Sequence, residues 1–151
     1  MATTPRILIV DDFSETAALL SHLLNRFAGF ETQAATDGFQ AIRVAEESRP
    51  DFVFLDIGMP ILNGFETAKR IRKEPWSKGM VLIAMSARWD EQDQAWAEKA
   101  GFDGYLLKPM PVKALVDLIE KLSHADCPPT SSRRHRRRLQ RPLVDPHSRC
   151  L

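Results

Sequence analysis

Phe52-Val53-Phe54-Leu55-Asp56-Ile57-Gly58-Met59-Pro60 is the stretch that decides how the chain is read. Four apolar residues in unbroken succession suit a strand buried on both faces, and the acid that follows, ahead of a glycine and a proline, falls at its carboxyl end. Open α/β sheets carry their chemistry at that edge. Two other apolar runs end in charge in the same way: Ile7-Leu8-Ile9-Val10 leads into Asp11 and Asp12, and Tyr105-Leu106-Leu107 leads into Lys108. Three carboxylates and one ammonium therefore converge on one edge. Such a cluster repels itself without a cation. Mg²⁺ suits it, because that ion takes one or two carboxylates and keeps positions for water and phosphate. The pattern points to a chain that handles a phosphoryl group.

Around these runs, strands and helices alternate with short links. Leu20, Leu23, Leu24 and Phe27 recur at helical spacing until Gly29, and Phe30 to Ala35 reads as a strand. Phe39, Ile42 and Ala45 mark a second helix, ended by Pro50. Asn63-Gly64 opens a third, with Phe65, Ala68 and Ile71 on one face and Pro75 closing the segment. Met80 to Met85 is a fourth strand, and the helix over about residues 90 to 100 presents Ala95, Trp96 and Ala100 before Gly101 stops it. The last helix aligns Val112, Leu115, Leu118, Ile119 and Leu122. Five such units predict a parallel sheet covered by helices on both faces and joined by right-handed crossovers.

Length and composition set the class. A chain of 151 residues, 44% of them hydrophobic, is enough for one domain with a sizeable core. No apolar run approaches the roughly 18 to 20 residues of a membrane span, and no secretory signal opens the chain, so a cytoplasmic protein without membrane contact is expected. Cys127 and Cys150 lie outside the segment that reads as folded and receive no role. After position 126, seven arginines against Asp145 give +6, which leaves −5 for the rest of a chain whose total is +1. With its prolines, serines and few apolar residues, the segment 125–151 is expected to be a disordered basic tail following a domain over 1–124.

The joint pattern of Asp11-Asp12, Leu55-Asp56-Ile57-Gly58-Met59-Pro60 with Asn63-Gly64, Ser86-Ala87 and Tyr105-Leu106-Leu107-Lys108-Pro109 resembles the receiver domain of two-component response regulators. The resemblance spans roughly residues 5 to 123. It implies a flavodoxin-like, doubly wound, five-stranded parallel sheet of strand order 2-1-3-4-5, an order for which a chemotaxis receiver is itself the standard example. It further implies that Asp56 accepts a phosphoryl group from a phosphohistidine on a histidine kinase or histidine phosphotransfer protein. Asp11, Asp12, Asp56 and the backbone carbonyl of Gly58 would hold Mg²⁺, while Lys108, Ser86 and Ala87 would meet the phosphoryl group. Ser86 and Tyr105 would form a switch that alters the surface of the fourth helix, fifth strand and fifth helix, to which a downstream protein binds. Pro109 would follow a cis peptide bond that aims Lys108 inward.

Singly, each residue has a plainer reading: Asp11 and Asp12 as a turn before a helix capped by Asp12 or Ser14, Asp56 as a loop acid, Lys108 as a surface lysine, Tyr105 as an edge-strand aromatic. The set in this order and spacing outweighs them. Gly58 offers no side chain to shield an attacking water, Phe13 stands where the family often has a polar residue, and Trp89 and Trp96 suggest a partner-binding patch or packing. Three functional classes are weighed. The first is a receiver, stand-alone or from a hybrid histidine kinase, that signals by protein contact or serves as a phosphate relay or sink, and that assists its own phosphorylation and dephosphorylation without being a multiple-turnover enzyme. The second is a regulator whose run Arg133-Arg134-His135-Arg136-Arg137-Arg138 binds nucleic acid. The third, an aspartate-nucleophile phosphatase, calls for Asp-x-Asp after the first strand, and here the acids are adjacent.

Overall fold

A computed structural model describes residues 4–123, the side chain of Phe27 excepted; the tail expected over 125–151 lies outside them. Five strands, β1 (Arg6–Val10), β2 (Glu31–Ala35), β3 (Phe52–Asp56), β4 (Val81–Ser86) and β5 (Gly104–Leu107), form one parallel sheet in the order β2-β1-β3-β4-β5. Between and after them run α1 (Ser14–Ala28), α2 (Gly38–Ser48), α3 (Gly64–Arg72), α4 (Glu91–Ala100) and α5 (Val112–Ser123), with a single 3₁₀ turn at Pro75–Ser77. This is the doubly wound, flavodoxin-like order 2-1-3-4-5.

Side chains alternate across a strand, so each continuous apolar run feeds two cores. Ile7, Ile9, Phe52, Phe54, Ile83 and Met85 pack with Ala17 and Leu24 of α1 and with Leu115, Leu118 and Ile119 of α5. Leu8, Val10, Val53, Leu55, Leu82 and Ala84 turn the other way, onto α2, α3 and α4. Each Val, Leu, Ile, Phe or Met among them contributes about 1.5–3 kcal/mol by leaving water. The register pairs Val10 with Leu55, so Asp11 and Asp56 leave neighbouring strands side by side. No helix among the described residues is long and apolar enough to cross a membrane.

Helix ends follow local chemistry. Asn63 caps α3 by accepting from Glu66 N at 2.9 Å, Asp90 and Asp93 form a capping box on α4, and α1 and α4 end in left-handed Gly29 and Gly101. On two helices part of the expected face turns outward, although Ala45 and Ala100 are buried as the spacing predicts. On α2, Gly38, Ala41 and Ala45 face inward while Phe39 is 54% exposed, beneath the Arg70 guanidinium at 5.5 Å. On α4, Ala97 and Ala100 are buried, whereas Ala95 and Trp96 are exposed. In both, small residues let the helix lie close and turn the large ring outward. Neither Asp12 nor Ser14 caps α1: Phe13 holds the cap position with no side-chain bond.

Candidate functional site

Asp56 closes β3 with 7% of its surface exposed, and its Oδ1 accepts from Gly58 N at 3.0 Å. Asp11, fully buried at the end of β1, accepts from Phe13 N through Oδ1 at 3.0 Å and from Lys108 Nζ through Oδ2 at 2.9 Å. Lys108 Nζ also lies 3.3 Å from Asp56 Oδ2, which places one ammonium between two carboxylates. Asp12 is half-buried beside them, and one oxygen from each of the three acids lies within 4.8 Å of the others. The backbone of Lys108 is fixed by its N–H, which donates to Ser86 O at 2.7 Å, and the Lys108–Pro109 peptide is cis.

The charges are unequal, three against one, and the pKa directions follow. Burial pushes the Asp56 carboxyl above its ordinary value, and Asp11 adds to the push; the Gly58 amide and Lys108 oppose it without cancelling it. For Lys108, burial works against the charged form, but its bond to Asp11 and its attraction to Asp56 prevail, so its pKa is raised and it stays protonated at neutral pH. A divalent cation on the remaining lone pairs of these carboxylates would relieve the repulsion. The hard oxygen donors of Asp11, Asp12 and Asp56 fit Mg²⁺.

The loop after Asp56 is shaped by glycine. A Cβ on Gly64 would sit 2.5 Å from Ile57 Cα and 2.6 Å from Asp56 O, so only glycine lets α3 start against the end of β3. At Gly58 a Cβ would meet only Asp56 Oδ1, at 3.7 Å, and the acid is open on that side. Two residues on the rim break local rules. Ile61 is β-branched yet has φ +68° and is 94% exposed, and Phe13 takes a helix-cap position while 68% exposed. The first conformation costs about 1–2 kcal/mol and the second forgoes about 1 kcal/mol of capping. Sequence reading missed Ile61. Its position after Pro60 in a glycine-containing turn was the available signal.

Ser86, at the end of β4, donates to Arg88 O at 2.6 Å and accepts from Arg88 N at 3.2 Å, so its hydroxyl is engaged within its own loop. Ala87 follows, exposed. Tyr105, partly exposed on β5, is stacked face to face with Trp89, the ring centroids 4.4 Å apart and the planes 3° from parallel. Trp89 and Trp96 do not share a patch through these contacts: Trp96 is set edge-on against Phe65 at 5.6 Å.

The opposite edge of the sheet holds a second buried ion pair that the sequence reading did not find. Arg72, the last residue of α3, donates to Gly101 O, Ser77 O and Met80 O and meets Asp103 Oδ2 at 2.8 Å; the same oxygen accepts from Leu82 N at 3.0 Å. The partners lie 31 residues apart, and no local pattern links them.

Known proteins share this fold. The chain is 39% identical over 120 residues to the transcriptional regulatory protein PrrA of Mycobacterium tuberculosis, an alignment covering 80% of this chain and 50% of that protein. It thus spans about half the length of the curated relatives it matches. Among solved structures, the chemotaxis response regulator CheY4 of Vibrio cholerae superposes with a TM-score of 0.73 at 28% identity, over 80% of this chain and 99% of that one. The receiver domain of Ssk1 of Saccharomyces cerevisiae, co-crystallised with the histidine phosphotransfer signaling protein Ypd1, gives 0.71 at 26% identity, covering 82% and 93%. Residues 7–120 match the family described as the response regulator receiver domain, and the chain belongs to that family.

Proposed function

We propose that this receiver domain is a phosphoacceptor of a two-component phosphorelay, with Asp56 as the nucleophile. The observation that carries the reading is the carboxylate of Asp56 at a strand end, with two further acids within 4.8 Å and Lys108 Nζ at 3.3 Å. A carboxylate oxygen of Asp56 attacks phosphorus in line as the bond from phosphorus to the donor imidazole nitrogen breaks, and the electron pair leaves with that nitrogen. The product is an acyl phosphate. Lys108, charged and already beside Asp56, meets the incoming phosphoryl oxygens, and the open side at Gly58 admits the donor. Mg²⁺ held by Asp11, Asp12, Asp56 and the Gly58 carbonyl would supply neutralisation of the phosphoryl charge. Positioning and electrostatics of this kind supply most of the catalysis in phosphoryl transfer.

A histidine kinase or phosphotransfer protein is the donor in this reading, which the likeness to the Ypd1-bound receiver of Ssk1 supports. Ser86 and Tyr105 then switch the surface of α4, β5 and α5, and a downstream protein reads it in the cytoplasm. The domain assists its own phosphorylation and dephosphorylation and turns over no separate substrate. Mg²⁺ with a small phosphodonor such as acetyl phosphate should label Asp56, located by mass spectrometry, and Asp56→Asn should abolish aspartyl labelling at that position. Asp12→Ala should lose Mg²⁺ binding by calorimetry. Unchanged affinity in that variant would move the metal elsewhere.

The arginine run at 133–138 favours a second reading, a regulator that contacts nucleic acid. Binding that weakens steeply with salt and vanishes on truncation after His124 would establish it, since each arginine paired with a phosphate releases a counterion.

A further inference from the structure

We propose that Trp89 is a positioning residue of the switch, whose stack on Tyr105 holds the β4–α4 segment in its unphosphorylated arrangement; this rests on the phosphoacceptor reading above. The loop from Ser86 to Asp90 ties three elements together. Ser86 at the end of β4 is bonded in both directions to Arg88, at 2.6 and 3.2 Å. The next residue, Trp89, lies flat on Tyr105 of β5 and donates from Nε1 to Gln94 Oε1 of α4 at 3.2 Å.

A hydroxyl has one proton. If Ser86 gives it to a phosphoryl oxygen on Asp56, the bond to Arg88 O is lost, and the freed peptide is the one that carries the indole. The ring must then slide or leave Tyr105, and the bond to Gln94 passes the displacement to α4. That helix is lightly held, with only Ala97 and Ala100 buried along it and Trp96 set edge-on against Phe65. The stack therefore opposes the phosphorylated arrangement, and Trp89 sets how far the resting population lies from it.

Linkage distinguishes such a latch from simple packing. Beryllofluoride with Mg²⁺, a mimic of the aspartyl phosphate, is titrated by calorimetry into the full chain and into Trp89→Ala, Trp89→Phe, Tyr105→Leu and the double variant Trp89→Ala/Tyr105→Leu. Removing a stacked aromatic partner should tighten binding of the mimic by about two- to tenfold in Trp89→Ala, with Trp89→Phe intermediate. On the Tyr105→Leu background, Trp89→Ala should change nothing further. Unchanged or weaker binding in Trp89→Ala, with only a lower thermal midpoint, would overturn the proposal and leave the indole as packing. Equal tightening on both backgrounds would overturn the role of the stack. If the mimic binds none of the proteins, the phosphoacceptor reading fails and takes this inference with it.

Discussion

At the amino edge of the sheet, Asp103 meets one guanidinium that is also bonded to three carbonyls, and each charge has its opposite. At the carboxyl edge, Asp11, Asp12 and Asp56 share the single ammonium of Lys108. Both are buried polar clusters in the same small domain, 2% of the Asp103 side chain and none of Asp11's being exposed. The first is balanced in charge and joins α3, the 3₁₀ turn, β4 and the α4–β5 link. The second is short of positive charge and is flanked by a strained Ile61 and an uncapped α1. Stability is concentrated at one edge and withheld at the other, as expected where a site must accept a ligand rather than only hold the fold.

Substitutions at the two edges should therefore move stability in opposite directions. The largest effect is expected from Asp103→Ala, which leaves the Arg72 charge and Leu82 N–H without that carboxylate and should cost about 3 kcal/mol in urea denaturation. A loss below about 1 kcal/mol would break the contrast. Next comes Gly101→Ala, where a Cβ would lie 2.6 Å from Arg72 Cγ on a residue with φ +94°. It should cost about 2 kcal/mol by the same measurement.

At the carboxyl edge the sign reverses. Ile61→Asn, which suits φ +68°, should gain about 0.5–1 kcal/mol without affecting acetyl phosphate labelling. Asp56→Asn should raise the thermal midpoint at pH 7.5 by a few degrees at most. Burial raises the Asp56 carboxyl above its ordinary value of 3.8, so the ionised form weakens the wild-type fold above the folded-state pKa. As pH falls through that pKa the wild type takes up the proton, and below 3.8 the advantage of the asparagine should be gone. Midpoints recorded from pH 7.5 to 3.5 would show a gap that closes on acidification; a gap that widens would contradict the sign.

Most of this was legible in one dimension where a feature is local. Apolar runs ending in Asp11, Asp56 and Lys108 place the acids and the ammonium at one edge, and Asn63, Gly29 and Gly101 mark helix ends through chemistry confined to a few residues. Strand order was not legible that way and came from the family resemblance. On α2 and α4 the reading included Phe39, Ala95 and Trp96, which are exposed, and left out Ala41 and Ala97, whose small side chains allow close approach, while Ala45 and Ala100 are buried as read. Arg72 and Asp103 escaped because their meeting depends on where α3 ends and β5 begins, a tertiary fact without a sequence signature.

The pairing of Val10 with Leu55 has a consequence for insertions and deletions. Asp11 and Asp56 are neighbours only because β1 and β3 leave the sheet at the same row, so the site is a matter of counting as much as of chemistry. Deleting one residue from β1 would leave its apolar content nearly intact. The slip would turn every later side chain of the strand to the opposite face and carry Asp11 away from Asp56. A lineage can therefore exchange Ile, Leu and Val along these strands at a cost of about 1.5 kcal/mol or less each, while a single lost codon in either one would part Asp11 from Asp56.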